Sequence, residues 1–226
     1  NEFTKLAQNT STIQHNLLIK IINGMLTNGE PGLWNISLSQ KGDPNVESTK
    51  PCGEITLNPW ENCNLGHVNL GKFFNLGPLA NFAFSLIARF LVRATFSDIE
   101  DVRQRNVVKK NRRIGVGFFG FQSWLCKQGI SYSESHCSSL VRGYLASFKQ
   151  SVIEEAETYA KELGIPSPIK NTTLAPTGTI AKLAGETESG QSIFASYFIR
   201  RVRYADNDPK LQQLEARGLK IVDDIY

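Results

Sequence analysis

The stretch from Lys50 to Leu70, KPCGEITLNPWENCNLGHVNL, constrains most strongly what this chain can fold into. Pro51 and Gly53 flank Cys52, and because proline and glycine interrupt helices and central strands, they argue against regular structure across that cysteine. Cys52 is therefore predicted to lie at the tip of a tight loop. The residues that follow, 55–57, are predicted to form a short strand, which an Asn-Pro pair ends.

The residue types in this stretch have a chemical use. Glu54 follows Cys52 by two positions, and Cys63 follows Cys52 by eleven. If the backbone is extended there, residues two apart point to the same face, so that Cys52 and Glu54 could act on one small substrate. A thiol serves as a nucleophile or, once oxidised to a thiyl radical, in hydrogen-atom transfer, and a carboxylate moves protons. On spacing alone, a buried free cysteine beside a solvated glutamate is the commoner arrangement.

The sequence PCGEI followed by ENCNLGHVNL resembles the active-site finger loop of ribonucleotide reductases. Within that family it looks most like the adenosylcobalamin-dependent class, and there like the monomeric ribonucleoside-triphosphate reductases. The resemblance covers nearly the whole chain and implies an α/β fold, as part of a ten-stranded α/β barrel with an internal finger loop at residues 48–66. Residues 1–226 would then be one partial catalytic barrel domain, an internal piece of a longer enzyme.

The resemblance also implies a role for each reactive residue. Cys52 would become the thiyl radical that abstracts the 3′ hydrogen of the ribose, and Glu54 would take the proton of the 3′-hydroxyl. Cys63 matches one of two cysteines that reduce the 2′ carbon and end as a disulfide, with its partner before residue 1. The implied product is a 2′-deoxyribonucleotide for DNA synthesis. Adenosylcobalamin is the implied cofactor, a thioredoxin-type dithiol the reductant, and dNTPs and ATP the effectors.

Lys50 departs from the family pattern, which is Asn-Pro-Cys-Gly-Glu. A lysine offers three donors, no acceptor and a positive charge, and it could pair with Glu54 and lower its basicity. Activity is therefore expected to be impaired unless another residue replaces the Asn. Two alternatives stay open: a non-catalytic remnant or interaction protein of the same fold, and a segment of an iron-dependent class I reductase. The motif PCGEI with a cysteine close behind it favours the cobalamin class over the latter.

A second stretch of interest is NTTLAPTGTIAKLAGETESG, residues 171–190. It is predicted to form a strand over 172–175, a Gly/Thr turn, and a short helix from Ile180. Such a helix start favours phosphate through its backbone N–H groups and dipole, although a plain strand-to-helix turn is commoner. APTGTI also resembles the reductase loop that holds the substrate phosphates, here at 175–181. The phosphate-binding residues implied by that resemblance are Pro176, Thr177, Gly178, Thr179 and Ile180.

Hydrophobic periodicity predicts helices over 1–28, 73–96 and 133–163, and a polar helix is predicted over 206–218. Asn75 is the predicted cap of the second helix, most of whose circumference is expected to be buried. Ser97, with a glutamate three residues on, predicts a further helix start. Short strands are predicted over 33–36, from their apolar character, and over 200–204, from the resemblance.

Three weaker motifs are interpreted as structural. The GxGxxG at 115–120 follows a basic helix rather than a strand, which favours close packing over dinucleotide binding. The basic run from Arg103 to Arg113 is typical of a solvated helix face, so no DNA or RNA partner is predicted. Cys126 and Cys137 lack the CxxC spacing of zinc sites and predict no metal centre.

Composition limits the setting in which the chain works. A hydrophobic content of 41% supports a packed core, and a net charge of +4 is mild. No apolar run of 18 residues predicts a membrane span, and the N-terminus lacks the pattern of a secretory signal. Four cysteines in 226 residues are too few for a disulfide scaffold. A cytoplasmic location is therefore expected.

Overall fold

A computed structural model describes residues 2–73, 75, 77–197 and 201–223 of the chain. Residues 1–192 form one compact unit and residues 193–226 a second. Among the described residues, the strands lie in the first unit: β1 (Ser48–Thr49), β2 (Thr56–Leu57), β3 (Asn64–Asn69) and β4 (Ile114–Phe119). The helices of that unit are α1 (Glu2–Ala7), α2 (Ile13–Asn28), α3 (Ile36–Ser39), α4 (Pro78–Ala94), α5 (Val102–Asn111), α6 (Phe121–Lys127), α7 (Tyr132–Ser135), α8 (Ser139–Glu162) and α9 (Gly178–Ala184).

The centre of the first unit is a parallel pair of strands, β3 and β4, in register from Asn64 opposite Ile114 to Asn69 opposite Phe119. Residues 170–173 run along the free edge of β4, where Val116 donates to the carbonyl of Asn171 at 2.9 Å. This segment makes only an isolated parallel bridge, so the strand predicted over 172–175 is reduced to a single pairing. The fold is mixed α/β, as predicted.

One face of β3 and β4 packs against α4, which in turn packs against α8. Gly66 lets the helix approach closely, because a Cβ added there would lie 2.7 Å from Cδ1 of Ile87. Between the two helices, the rings of Phe84 and Phe148 stack with their centroids 4.4 Å apart. Arg89 joins the same two helices through an ion pair to Glu155 at 2.6 Å. The hydrophobic core therefore lies on the helix side of the strand pair.

The prediction that most of residues 73–96 would be buried is wrong. The helix begins at Pro78 with Gly77 as its cap, and not at Asn75, because the fixed φ of proline suits the first helical position. Only one face of α4 reaches the core. The opposite face exposes large apolar side chains, including Phe82 at 62% and Phe90 at 68%.

Other helix ends differ from the predictions for local reasons. The predicted helix over 1–28 is divided into α1 and α2, and it stops as expected at Gly29, whose φ is 82°. The predicted strand over 33–36 is wrong, because the Asn35 side chain accepts from the backbone N–H of Leu38 and starts α3. Asp101, rather than Ser97, caps α5.

The helix predicted over 133–163 is also divided, into α7 and α8. Ser138 lies between them and caps α8, with its side chain accepting from the backbone N–H of Val141. The end near residue 163 is confirmed, since Gly164 follows with a φ of 64°. That left-handed conformation is one that glycine adopts without strain, so it closes the helix.

The basic run is divided in the same way. Its outer members are exposed on α5, as predicted, but Arg112 and Arg113 are buried, at 6% and 4% exposure. Both lie at the end of α5, where the chain turns into buried β4. A solvated helix face therefore describes only part of this run.

The second unit contains α10 (Lys210–Ala216), shorter than the helix predicted over 206–218. Asp208 accepts from the backbone N–H of Lys210 at 2.9 Å and supports the start of this helix. Of the strand predicted over 200–204, Arg200 lies outside the described residues, and residues 201–204 form no regular structure. Among the residues that the structure describes, no helix has both the length and the apolar character needed to cross a bilayer.

Candidate active site

The finger loop is an antiparallel hairpin built from β1 and β2, in which Thr49 lies opposite Thr56. Beyond this pair, the backbone N–H of Lys50 donates to the carbonyl of Ile55 at 3.1 Å. The N–H of Gly53 then donates to the carbonyl of Lys50 at 2.8 Å and closes a four-residue turn. Pro51 occupies the second position of this turn, which its fixed φ favours. The predicted tight loop is therefore confirmed.

Cys52 occupies the third position of that turn and is exposed. Gly53 has a φ of 70°, so the backbone between Cys52 and Glu54 is bent rather than extended. The expectation that both residues point to one face because of an extended backbone is therefore not met at this tip. The turn instead presents the thiol outward and directs the chain at Glu54 back toward the sheet.

Glu54 is half-buried, and its Oε2 atom is inaccessible to solvent and has no hydrogen-bond partner among the described residues. Its backbone carbonyl accepts a hydrogen bond from the hydroxyl of Thr173. Because Thr173 belongs to the segment beside β4, this bond fixes the hairpin tip against the strand pair. The carboxylate is thus held in place by its backbone, while one oxygen stays without a partner.

Cys63 is the buried thiol of the site, with 4% exposure. It packs with Ile55 and Leu57 beneath the hairpin. Burial raises the pKa of the Cys63 thiol to about 12, against the opposing effect of the positive charges of Lys50 and Arg113. Cys63 is therefore held as a protonated thiol at neutral pH.

The Lys50 side chain reaches down from the hairpin to the same cysteine. Its Nζ donates to the backbone carbonyl of Cys63 at 2.5 Å. Among the described residues, no ion pair joins Lys50 to Glu54, the pairing considered from the sequence. The positive charge of Lys50 is thus directed at the loop that carries Cys63.

A buried ion pair supports this loop, and the sequence did not reveal it. Arg113 Nε lies 2.9 Å from Glu61 Oε2, and their side chains are 2% and 1% exposed. Arg113 also contacts Asp43 at 2.6 Å, while Asn111 donates to the other oxygen of Glu61 at 2.9 Å. The group joins the loop before Cys63 to the start of β4. The one available signal was the position of Arg113 immediately before an apolar strand.

The second stretch lies beside the hairpin. The segment that carries Thr173 leads directly into residues 175–181, and α9 begins at Gly178. Thr177 has a φ of 54° and its hydroxyl accepts from the backbone N–H of Ser189 at 2.8 Å. The remaining predicted phosphate-binding residues are partly or fully exposed: Pro176, Gly178, Thr179 and Ile180. The structure thus connects this loop to Glu54 through Thr173.

The glycine motif at 115–120 serves close packing, as expected from the sequence. In β4, a Cβ on Gly115 would lie 2.5 Å from Leu65 Cδ2, which shows why glycine is needed for close packing. Cys126 and Cys137 are both exposed free thiols. Within the described ranges, no cluster of three or more His, Cys, Asp or Glu side chains could hold a metal ion.

Comparison with known proteins shows the family of the chain. The family model described as ribonucleotide reductase, barrel domain, matches residues 1–171. The chain belongs to the ribonucleotide reductase family. A provisionally named adenosylcobalamin-dependent ribonucleoside-triphosphate reductase of Mycobacterium phage D29 is 45% identical over 96% of this chain. The adenosylcobalamin-dependent ribonucleoside-triphosphate reductase of Levilactobacillus brevis is 34% identical over the whole chain.

The match covers only a part of these reductases. The chain spans 33% of the phage protein and 32% of the Levilactobacillus protein, about a third of each. A crystal structure of a B12-dependent class II ribonucleotide reductase, 32% identical, superposes with a TM-score of 0.73 over 92% of this chain and 33% of its own. The class Id α subunit of Actinobacillus ureae, at 17% identity and a TM-score of 0.69, shares the fold.

Proposed function

We propose that this chain is the finger-loop segment of an adenosylcobalamin-dependent reductase that converts ribonucleotides into 2′-deoxyribonucleotides. The observation that carries the proposal is the arrangement of the hairpin. It presents the Cys52 thiol to the outside, keeps the Glu54 carboxylate half-buried behind it, and holds Cys63 as a buried thiol beneath. The names of the relatives and the spacing of the three residues support the same function.

In the proposed reaction, Cys52 acts first. As a thiyl radical it takes the 3′ hydrogen atom of the ribose, so the C–H bond breaks and the S–H bond forms. Exposure at a rigid turn suits this step, because the sulfur must be reached both by the group that oxidises it and by the substrate. Glu54 accepts the proton of the 3′-hydroxyl, for which an oxygen without a partner, Oε2, is available.

Cys63 supplies reducing equivalents to the 2′ carbon in this proposal. A thiol held protonated by burial can deliver hydrogen as the 2′-hydroxyl leaves as water. The two electrons come from Cys63 and a second cysteine, which together become a disulfide. By the family resemblance that second cysteine precedes residue 1, and neither Cys126 nor Cys137 matches it. A thioredoxin-type dithiol would then reduce the disulfide.

Adenosylcobalamin, when bound, supplies the carbon-centred radical that oxidises a thiol. The residues present fit this requirement at Cys52, the thiol at the exposed tip of the finger loop. The rest of a corrin site would come from outside this chain. The class I alternative is less well supported, because the class Id subunit shares the fold at only 17% identity.

We also propose that residues 175–181 hold the substrate phosphates. The backbone N–H groups at the start of α9 and the exposed hydroxyl of Thr179 offer donors, and neutral hydrogen bonds of this kind contribute only about 1 kcal/mol each. Several donors must therefore act together. Further parts of the proposal are a ten-stranded barrel in the complete enzyme, regulation by dNTPs and ATP, and a cytoplasmic location.

The test is turnover by the intact protein that carries this chain. With adenosylcobalamin, a dithiol and a ribonucleoside triphosphate, we expect 2′-deoxynucleotide, and we expect Cys52→Ser to abolish it. Cys137→Ser is the matched control, because that thiol is also exposed but lies far along the chain in the turn before α8. Failure of the intact wild-type protein to form product with every common ribonucleotide would favour the non-catalytic remnant.

Lys50 gives a second test of the same proposal. Because lysine has no acceptor and carries a charge, we expect Lys50→Asn to raise the turnover number of the intact protein. The measurement is kcat for wild type and variant under identical conditions. Unchanged turnover would mean that another residue already does the work of the missing Asn.

A further inference from the structure

Two consecutive arginines that follow α5 are both buried, but only one of them is neutralised. Arg113 lies against the carboxylates of Glu61 and Asp43. Arg112 is 6% exposed, and among the described residues no carboxylate forms an ion pair with it. Buried charges are rarely found without a partner of opposite sign, so the Arg112 guanidinium needs an explanation.

Uncharged groups hold the Arg112 side chain in one position. Its Nη1 atom donates to the backbone carbonyl of Thr95 at 3.1 Å and to the hydroxyl oxygen of the same residue at 2.9 Å. The guanidinium carbon lies 4.5 Å from the centroid of the Phe96 ring. Within the described ranges, its buried Nε atom has no hydrogen-bond partner. The side chain is therefore fixed, while its positive charge is not neutralised.

Arg112 lines a cavity of about 250 Å³ between α5 and the segment that connects α4 to it. Two further cations, Arg105 and Lys109, line the same cavity. The acidic residues of the connecting segment, Asp98 and Glu100, are exposed and lie outside the lining. The described residues therefore surround this cavity with positive charge and with no carboxylate.

The helix ends at the cavity account for only part of this charge. Cations favour helix C-termini, and both α4, capped by Thr95, and α5, capped by Arg112, end there. A helix C-terminus carries roughly half a negative charge, so the two ends together offset about one of the three cations. About two positive charges remain, which matches the charge of a phosphate dianion.

We propose that this cavity binds a phosphate group, either as inorganic phosphate or as the terminal group of a small phosphate ester. Lys109 is exposed, and its ammonium would donate directly to the phosphate oxygens. Arg105 is fixed at the cavity, because its Nε and Nη2 atoms donate to two backbone carbonyls of the connecting segment at 2.7 and 3.2 Å. Arg112 supplies charge from below, since its Nε atom is inaccessible.

The inference goes beyond the proposed function and does not depend on it. Among the described residues, none that lines the cavity belongs to the finger hairpin or to residues 175–181. Burial lowers the pKa of Arg112, because it disfavours the charged guanidinium. A bound anion would oppose that effect, so the fold and the ligand would support each other at this position.

Lysine acetylation of the intact protein that carries this chain tests the site directly. Lys110 is the internal control, because it is also exposed on α5 but lies outside the lining. With sulfosuccinimidyl acetate and fragment-ion mass spectrometry at constant ionic strength, we expect inorganic phosphate to slow the acetylation of Lys109 severalfold and to leave Lys110 unchanged. Stronger protection by glycerol 3-phosphate would assign the site to phosphate esters, and stronger protection by inorganic phosphate to the free ion.

Calorimetric titration with phosphate then tests the cations one by one. We expect Lys109→Gln to weaken binding roughly tenfold, the effect of losing one hydrogen bond to a charged group. Lys110→Gln should bind as the wild type does. Arg112→Gln should abolish binding, and urea unfolding shows whether that variant is folded, because the same side chain holds Thr95. The Lys109 variant keeps the test decisive if Arg112→Gln does not fold.

Several outcomes would overturn the proposal. Equal protection of Lys109 and Lys110, or equal weakening in their two glutamine variants, would show that phosphate only screens a basic helix. Absence of Lys109 protection by both phosphate compounds would refute the site outright. A single-stranded oligonucleotide that protects both lysines when phosphate protects neither would assign this face to a polynucleotide instead. None of these outcomes depends on whether the protein is a reductase.

Discussion

The Nζ atom of Lys50 lies 2.5 Å from the backbone carbonyl oxygen of Cys63. A side chain from the tip of the hairpin thereby holds the loop that carries the buried thiol. This single contact joins the exposed cysteine, two residues after Lys50, to the buried one. The charge of Lys50 also opposes the burial that raises the pKa of Cys63.

We therefore expect Lys50→Met to slow alkylation of Cys63. Loss of the positive charge raises the pKa of that thiol further, and one pKa unit corresponds to about a tenfold drop in thiolate. The rate is measured by mass spectrometry at pH 9 with iodoacetamide. Lys41→Met, at an exposed position, is the control. A faster reaction in Lys50→Met would contradict this prediction. It would show that the Lys50 side chain limits access of the reagent to the sulfur more than its charge favours the thiolate.

The raised pKa of Cys63 predicts how stability depends on pH. The ordinary thiol value is 9.0 and the folded value is about 12. Below pH 9 both states are protonated, and the stabilising contribution of the neutral buried thiol is fully present. Between pH 9 and 12 the unfolded state loses its proton first, so this contribution is lost as the pH rises.

Relative to Cys63→Ala, the wild-type free energy of unfolding should fall by up to about 1.4 kcal/mol per pH unit across that range. Urea unfolding at pH 7, 9 and 10 measures it. Cys137→Ala removes an exposed thiol and should follow the wild-type dependence. Parallel curves for wild type and Cys63→Ala would contradict the prediction.

The buried pair of Arg113 and Glu61 makes a second prediction about stability. Glu61→Gln leaves the Arg113 charge with only Asp43 beside it, and breaking a buried ion pair costs about 3–5 kcal/mol. Glu162→Gln is the control, because Glu162 is 48% exposed in its pair with Arg89 and such pairs contribute about 0–1 kcal/mol. Urea unfolding compares the two. Equal and small losses of stability in the two variants would mean that water solvates the Arg113 charge.

Turn-forming residues in the sequence predicted the hairpin tip well. Pro51 and Gly53 act through their own backbone preferences, and the structure places them in a turn for that reason. Gly29 likewise ends α2 with a positive φ. The prediction was less successful where side chains compete for the same backbone: Asn35 caps a helix where the apolar residues beside it suggested a strand.

Burial was the property that the sequence predicted least well. Arg113 and its exposed neighbours on α5 carry the same charge, and only the partner Glu61, 52 positions earlier, makes its burial possible. Leu79 and Phe82 on α4 are as apolar as the buried Phe84, yet they lie on the exposed face. His67 was part of a motif used for recognition, and its place opposite Gly117 depends on the pairing of β3 with β4. Ion pairs and strand pairings of this kind join segments that are distant in the sequence, and hydrophobic periodicity within one segment does not predict them.

Gly117 gives the last prediction, since a side chain there would meet both His67 and Thr173. An alanine there would place its Cβ 2.5 Å from the Thr173 carbonyl oxygen and 2.8 Å from His67 Cδ2. The backbone contact cannot be relieved by rotating a side chain, so the strands must separate. We expect Gly117→Ala to lower the free energy of unfolding by about 1–3 kcal/mol, as for other overpacked sites.

The same substitution at Gly143 is the control. That residue lies within α8 with no atom within 4 Å of an added Cβ, and alanine is favoured over glycine in a helix by about 0.5–1 kcal/mol. The two variants should therefore change stability in opposite directions in urea unfolding. If Gly117→Ala were neutral, residues 170–173 would pack less closely on β4 than the structure shows.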